Sequence, residues 1–262
     1  MSARPVTPRA AVLLAPNPGP MTLEGTNTWV LREPGGAQCV VVDPGPLHEG
    51  HLLAVAGTGP VALIVLTHGH ADHSAGAGRL AELTGAHVVA LDEAFRSPGA
   101  PPVGERLDAA GLQLTVVRTP GHSSDSLSLH LAADDAVLTG DTVLGRGTTV
   151  VAHPDGVLGD YLTSLRRLRE LGDATVLPGH GPELPSAGRV AGDYLAHRQE
   201  RLEQVRAAVA GGARTAQEVV DVVYAGLAEV LLPAARRSAQ AQLLHLGYDP
   251  GPDEPGPDPS AA

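Results

Sequence analysis

The 262-residue chain has no lysine: all 18 of its basic residues are arginines, set against 29 acids for a formal charge of -11. Duplex DNA and anionic membranes demand clustered positive charge, and this balance disfavours both as partners. The lone cysteine, Cys39, excludes an internal disulfide framework and any zinc site built from several thiolates. Its mid-strand position suits a small buried apolar side chain. Aromatic residues amount to 2%, so the core has to be packed with leucine, valine and alanine. Few rings remain to stack on the bases of a single strand. No apolar run approaches the ~18 residues needed to span a bilayer. Pro5, Pro8, Pro16 and Pro18 crowd the N-terminal apolar stretch, which does not read as a secretory signal, so a cytoplasmic protein is expected.

Hydrophobic residues nonetheless reach 43%, enough for one large domain with an appendage. Three zones are expected: a catalytic domain over 1–190, a helical module over 191–246, and a disordered, acidic, proline-rich tail over 247–262. β-Branched or apolar runs bounded by turn residues predict strands over 28–31, 38–42, 61–67, 86–91, 112–118, 127–131, 136–139 and 174–177. Helices are predicted over 48–55, 73–84 and 160–171, the last with Leu162, Leu165 and Leu168 on one face. Strands mixed with helices indicate an α/β layered domain with mixed sheets. Beyond it, one long helix over 189–210 precedes two shorter ones over 219–226 and 233–246. Thr215 and Glu218 have the spacing of a capping box. Three such helices suit a lid, a dimer surface that would make a homodimer, or a winged-helix-like module.

The chemistry concentrates in Thr67-His68-Gly69-His70-Ala71-Asp72-His73, at the end of the strongest predicted strand. A tight loop can aim His68 and His70 at one ion, while Asp72 and His73 open a helix and can turn to a second. A local signature then recurs, in which an apolar run leads to Thr or Pro and a ligand-type residue beside glycine. It appears as Leu66-Thr67-His68-Gly69, Thr119-Pro120-Gly121-His122, Leu138-Thr139-Gly140-Asp141 and Leu177-Pro178-Gly179-His180. Rigid strands that present ligands from their ends are a sound way to hold a metal site. Seven candidate ligands result: His68, His70, Asp72, His73, His122, Asp141 and His180. They are too many for one tetrahedral ion and suit two. Histidine and carboxylate without thiolate fit zinc, with iron or manganese as alternatives. Two ions ~3.5–4 Å apart share a bridging carboxylate and a bridging hydroxide available at neutral pH, the apparatus for hydrolysing an ester-like bond.

These motifs resemble the metallo-β-lactamase superfamily over nearly all of the first 190 residues. The resemblance implies an αββα sandwich with the dinuclear site at one edge between the sheets. It also implies that His68, His70 and His122 hold the first metal, Asp72, His73 and His180 the second, and that Asp141 bridges. In the family's mechanism Asp72 orients the hydroxide and handles its proton. Antibiotic-hydrolysing members carry Cys or no ligand where Asp141 stands and have export signals, so a dedicated β-lactamase is not implied. The stretch Asn17-Pro18-Gly19-Pro20-Met21-Thr22-Leu23-Glu24-Gly25-Thr26-Asn27-Thr28-Trp29 is similar to the opening of the lactamase-beta-like endoribonucleases and of thioesterases of this fold that serve fungal polyketide synthases. Gly140 to Gly145, Gly179 to Pro182 and the pair His197-Arg198 point the same way. The animal endoribonucleases add a small helical module related to winged helices. Residues 215–246 are similar to it in length and pattern but lack its lysine-rich character.

Beyond the ligands, Asp43 is read either as an acceptor from a ligating histidine or as a plain turn residue before Pro-Gly. Asn27 is a candidate for the substrate mouth, with a purely structural hairpin residue as the alternative. Arg198 is the preferred anion contact, with His197 beside it, and the alternative for both is a solvated helix face. Three functions are weighed. The first is a zinc hydrolase of single-stranded RNA, ranked first on motif similarity. The second is a hydrolase of glutathione, CoA or carrier-protein thioesters, favoured by composition. The third, a non-catalytic nucleic-acid-binding protein, sits poorly with a complete ligand set.

Overall fold

The computed structural model describes residues 3–250. The first sheet holds β1 (Arg4–Pro5), β2 (Ala10–Leu14), β3 (Asn27–Leu31), β4 (Cys39–Val42), β5 (Val61–Val65) and β6 (His87–Val89), side by side in chain order. The second holds β7 (Arg106–Ala109), β8 (Leu112–Arg118), β9 (Leu127–Leu131), β10 (Ala136–Gly140) and β11 (Thr175–Pro178), laid out from β11 to β7 in reverse chain order. Both are mixed: β4, β5 and β6 run parallel, as do β10 and β11, while the other pairs are antiparallel.

Side chains alternate in direction along each strand, and this period of two sorts the core into layers. Trp29, Leu31, Val40 and Val42 pack between the sheets against Leu114, Leu127, Leu129 and Leu138. On the outer face of the first sheet Val30, Val41 and Ile64 meet α1 (Glu49–Ala56) and α3 (Ala77–Thr84) through Leu52, Val55 and Leu80. On the outer face of the second, Val137 and Val176 meet α4 (Leu158–Arg169) and the first half of α5 (Ala187–Ala210) through Tyr161, Leu165, Leu168 and Tyr194. The layers are therefore helix, sheet, sheet, helix, the αββα arrangement expected. A separate small core joins the second half of α5 to α6 (Ala216–Val223) and α7 (Leu232–His245).

Several elements differ from expectation. The helix predicted over 73–84 is split into α2 (Ala71–Ser74) and α3. At the break, Gly76 lies so close to the preceding loop that a Cβ there would stand 2.9 Å from the Gly45 carbonyl oxygen and 2.7 Å from Leu52. The ladder of β5 stops at Val65 rather than at residue 67. Thr67 turns away from the first sheet, and its carbonyl accepts from Leu127 N of the second at 2.8 Å, bridging the layers. Strands β1, β2 and β7 were not predicted; β1 and β7 are edge strands, β2 pairs with β1 and β3, and all three have little β-branched content. The boundary expected at residues 190/191 falls inside the continuous helix α5, because the first half of that helix covers the second sheet. The expected acidic tail lies, from residue 251 on, outside the described residues. Among the described residues no helix is long and apolar enough to cross a membrane.

Candidate metal centre

Four strand ends converge at one edge of the sandwich. The turn after β5 carries His68 and His70, and α2 carries Asp72 and His73. The loop between β8 and β9 carries His122, Asp141 follows β10, and His180 follows β11. Gly179 makes room for this convergence, since a Cβ there would sit 2.5 Å from Asp141 Oδ1 and 2.7 Å from His73 Cε1. All seven predicted donors come together.

They form three overlapping groups, each with its donor atoms within 4.8 Å of one another: His68, His70 and His122; His68, His73 and Asp141; Asp72, His73 and His180. His70 Nδ1 lies 3.0 Å from both His68 Nε2 and His122 Nε2. On the other side His180 Nε2 stands 3.1 Å from His73 Nε2, 3.1 Å from Asp72 Oδ2 and 3.4 Å from Asp141 Oδ2. Asp141 Oδ1 is buried without a hydrogen-bond partner. Carboxylate and imidazole atoms gathered this closely, one of them an orphan acceptor, fit divalent cations bound by nitrogen and oxygen.

The far side of most rings is fixed as well. His73 Nδ1 donates to Asp43 Oδ2 at 2.8 Å, His122 Nδ1 to the Val150 carbonyl at 2.8 Å, and His180 Nδ1 to the Gly25 carbonyl at 3.1 Å. His68 Nδ1 is 3.0 Å from Thr67 Oγ1, which itself donates to Asp43 Oδ2 at 2.7 Å. Such partners set the tautomer, so that Nε2 is the atom offered to an ion. Asp43 thus serves both sides of the centre, directly through His73 and through Thr67 to His68. Its backbone sits at φ 51, a costly conformation for a residue with a Cβ. The carboxylate holds it there by also accepting from Thr67 N at 2.7 Å.

Charge divides the donors. Burial, with His73 nearby, pushes the His68 pKa well below the usual histidine value, and burial lowers that of His122. Burial works against protonation of His73 too, but Asp72, Asp141 and Asp43 around it raise its pKa well above that value. Burial likewise opposes protonation of His180, yet the Asp141 carboxylate lifts it to about 9. Burial would raise both carboxylates, but His73 and His180 hold Asp72 low and hold Asp141 well below the ordinary carboxylate range. His68 and His122 are therefore held towards the neutral form, while His73 and His180 are drawn towards the protonated form by the carboxylates beside them.

The family model described as the Metallo-beta-lactamase superfamily matches residues 21–180. The chain belongs to this superfamily. A second model, the Beta-lactamase associated winged helix domain, matches residues 215–249, which here hold α6 and α7. An atrochrysone carboxyl ACP thioesterase from Aspergillus fumigatus is 32% identical over 246 residues, 85% of this chain and 75% of that protein. A beta-lactamase-like protein 2 homolog from Caenorhabditis elegans is 30% identical, over 90% of this chain and 83% of its own. Among solved structures, a metallo-beta-lactamase family protein from Thermus thermophilus superposes with a TM-score of 0.76 at 26% identity, covering 92% of this chain and 93% of that one. Members of the superfamily are hydrolases, and their fold implies divalent-metal binding.

Within this metallo-β-lactamase fold none of the three predicted substrate contacts is among the metal donors. Asn27 is buried, and its amide donates to the Pro178 carbonyl at 3.0 Å and the Gly181 carbonyl at 2.8 Å, tying β3 to the turn that carries His180. Arg198 is 5% exposed and donates to the Thr149 carbonyl, so it is no solvent-facing anion contact. His197 belongs to neither side of the centre. Sequence reasoning missed Thr67, although it stands inside the quoted motif, and it missed Thr149, Tyr161 and Tyr194, which carry no local signal. Tyr161 Oη donates to the Thr142 carbonyl at 2.7 Å, and Tyr194 Oη to the Gly147 carbonyl at 3.0 Å, in the loop that follows Asp141.

Proposed function

We propose that the chain is a dinuclear, zinc-dependent hydrolase of thioesters carried by glutathione, CoA or a carrier protein, with iron or manganese as alternative metals. The observation that carries this reading is the meeting of the two donor sets at Asp141, whose Oδ1 is buried with no hydrogen-bond partner. His68, His70 and His122 would hold one ion, Asp72, His73 and His180 the other, with Asp141 shared. Bound there, the ions would supply Lewis-acid polarisation of the scissile carbonyl and a water acidic enough to attack near neutral pH. Asp72 is the ligand best placed to move the proton, because its carboxylate remains 29% exposed beside the buried His73 and His180. Its Oδ2 accepts the proton of the attacking water and returns it to the departing thiolate, so that thioester and water give acid and thiol.

Two facts support a thioester. The Aspergillus fumigatus relative is named for thioesterase activity, and a chain without lysine at a formal charge of -11 offers little to a polyphosphate backbone. A second reading, hydrolysis of single-stranded RNA, is favoured by the winged-helix match over 215–249. A side-by-side assay separates them. Purified protein should cleave S-acyl glutathione or acyl-CoA and leave an unstructured oligoribonucleotide intact. Cutting of the oligoribonucleotide, with the same DNA sequence and the thioesters untouched, would move the assignment to RNA.

A further inference from the structure

Helix α5 buries a stripe formed by Val190, Ala191, Tyr194, Arg198, Leu202, Val205 and Val209. An arginine occupies a position where leucine would pack. Among the described residues Arg198 forms no ion pair, and its Nε is buried without a partner. A buried cation in this state costs desolvation that an apolar residue would avoid, so what it holds in place matters. Its Nη2 donates to the Thr149 carbonyl, and its guanidinium lies 5.1 Å from the centroid of the Tyr161 ring.

Those contacts lead back to the donor cluster. Thr149 Oγ1 donates to the Asp141 carbonyl at 2.7 Å, and the next residue, Val150, accepts from His122 Nδ1. Tyr161 holds the Thr142 carbonyl, one residue past Asp141. Residues 141–150 therefore carry the shared carboxylate at one end and the acceptor that orients His122 at the other, and Arg198 grips this loop from below. Four residues beyond Arg198, the stripe continues through Leu202, and from Val205 it enters the core shared with α6 and α7.

We propose that Arg198 is a positioning residue for the metal centre, setting Asp141 and His122 through the 141–150 loop. The proposal rests on the two-ion reading above. Its test is titration of the metal-free full-length protein with Co2+ alone, followed by calorimetry and by the visible spectrum of the bound ion. Arg198→Met and Thr149→Val should each melt cooperatively yet bind the weaker ion about 10–100-fold less tightly, the usual effect of removing a partner behind the ligands. The Co2+ spectrum should shift with them. Arg198→Lys should recover part of the affinity. Leu202→Ala, on the same stripe, should lower the melting temperature and leave affinity unchanged.

Unaltered affinity in Thr149→Val overturns the proposal even if Arg198→Met fails to fold. Equal weakening by Leu202→Ala also overturns it, since general loosening would then be the cause. A parent protein that binds no Co2+ would sink the two-ion reading instead, and this inference with it.

Discussion

The edge of the sandwich and the C-terminal module solve different problems with the same chain. At the edge, polar groups are buried in quantity: His73 and His180 are fully enclosed, Asp43 holds a left-handed backbone, and nearly every donor ring has a fixed partner on its far side. In the module the buried groups are mostly valine, alanine and leucine, and apolar side chains also face outward, with Val222 63% and Val230 66% exposed. One region holds orientation at the expense of stability, and the other is held mainly by burial, with the cap of α6 added. Substitutions at the edge should therefore cost activity or metal, whereas substitutions in the module should cost stability.

The largest expected effect is at Asp72. Asp72→Ala removes a donor and the proton carrier together, so turnover should fall by about 10²–10⁴-fold or more while thermal melting stays cooperative. Steady-state kinetics beside a melting curve checks both halves, and retained activity would break the contrast. Next is Asp43→Asn, which keeps the shape but takes from His73 Nδ1 its anionic acceptor. Metal affinity should drop by about 10–100-fold, read by competition with a chromogenic chelator.

A smaller effect separates charge from packing outside the donor set. His51 is fully buried, with Nε2 2.9 Å from Thr28 Oγ1, and burial, aided by His48, lowers its pKa to about 4. The unfolded chain takes up that proton near pH 6.5 and the folded chain only near pH 4. Between those values the unfolded state binds more protons, so stability falls as pH drops, by something on the order of 1–3 kcal/mol. His51→Gln should flatten this part of the stability curve in denaturant melts at pH 7 and pH 5. An unchanged slope would assign the acid sensitivity elsewhere. The smallest effect belongs to the module. The Thr215 hydroxyl accepts from Glu218 N at 3.2 Å, and Glu218 Oε2 accepts from Thr215 N at 3.0 Å. Thr215→Ala should cost about 1 kcal/mol and leave kcat/KM unchanged; a loss of activity would blur the division between the regions.

What could be read from the sequence follows the same division. Five of the seven donors were legible because each stands beside a glycine at a strand end, a local pattern repeated in several segments, and Asp72 and His73 follow in the same run. The layered α/β class was legible from strands mixed with helices, its αββα order from the family resemblance, and the capping box of α6 from Thr215 and Glu218. The roles of Arg198 and Asn27 were not, because their partners are distant: Thr149 is 49 residues from Arg198, and Gly181 is 154 from Asn27. A polar residue in a motif looks the same whether it meets substrate or a carbonyl brought over by another strand. Strands β1, β2 and β7 escaped notice for a related reason. Arg4, Pro5 and Arg106 have weak strand preference of their own, and the ladder offered by a neighbour is what extends them.

The most direct test is the metal content of the purified full-length protein, measured by native mass spectrometry alongside elemental analysis. Two divalent ions per chain, with one lost in Asp141→Ala, is the expected result. A single tightly held ion, indifferent to Asp141, would contradict a shared carboxylate and the paired centre built on it.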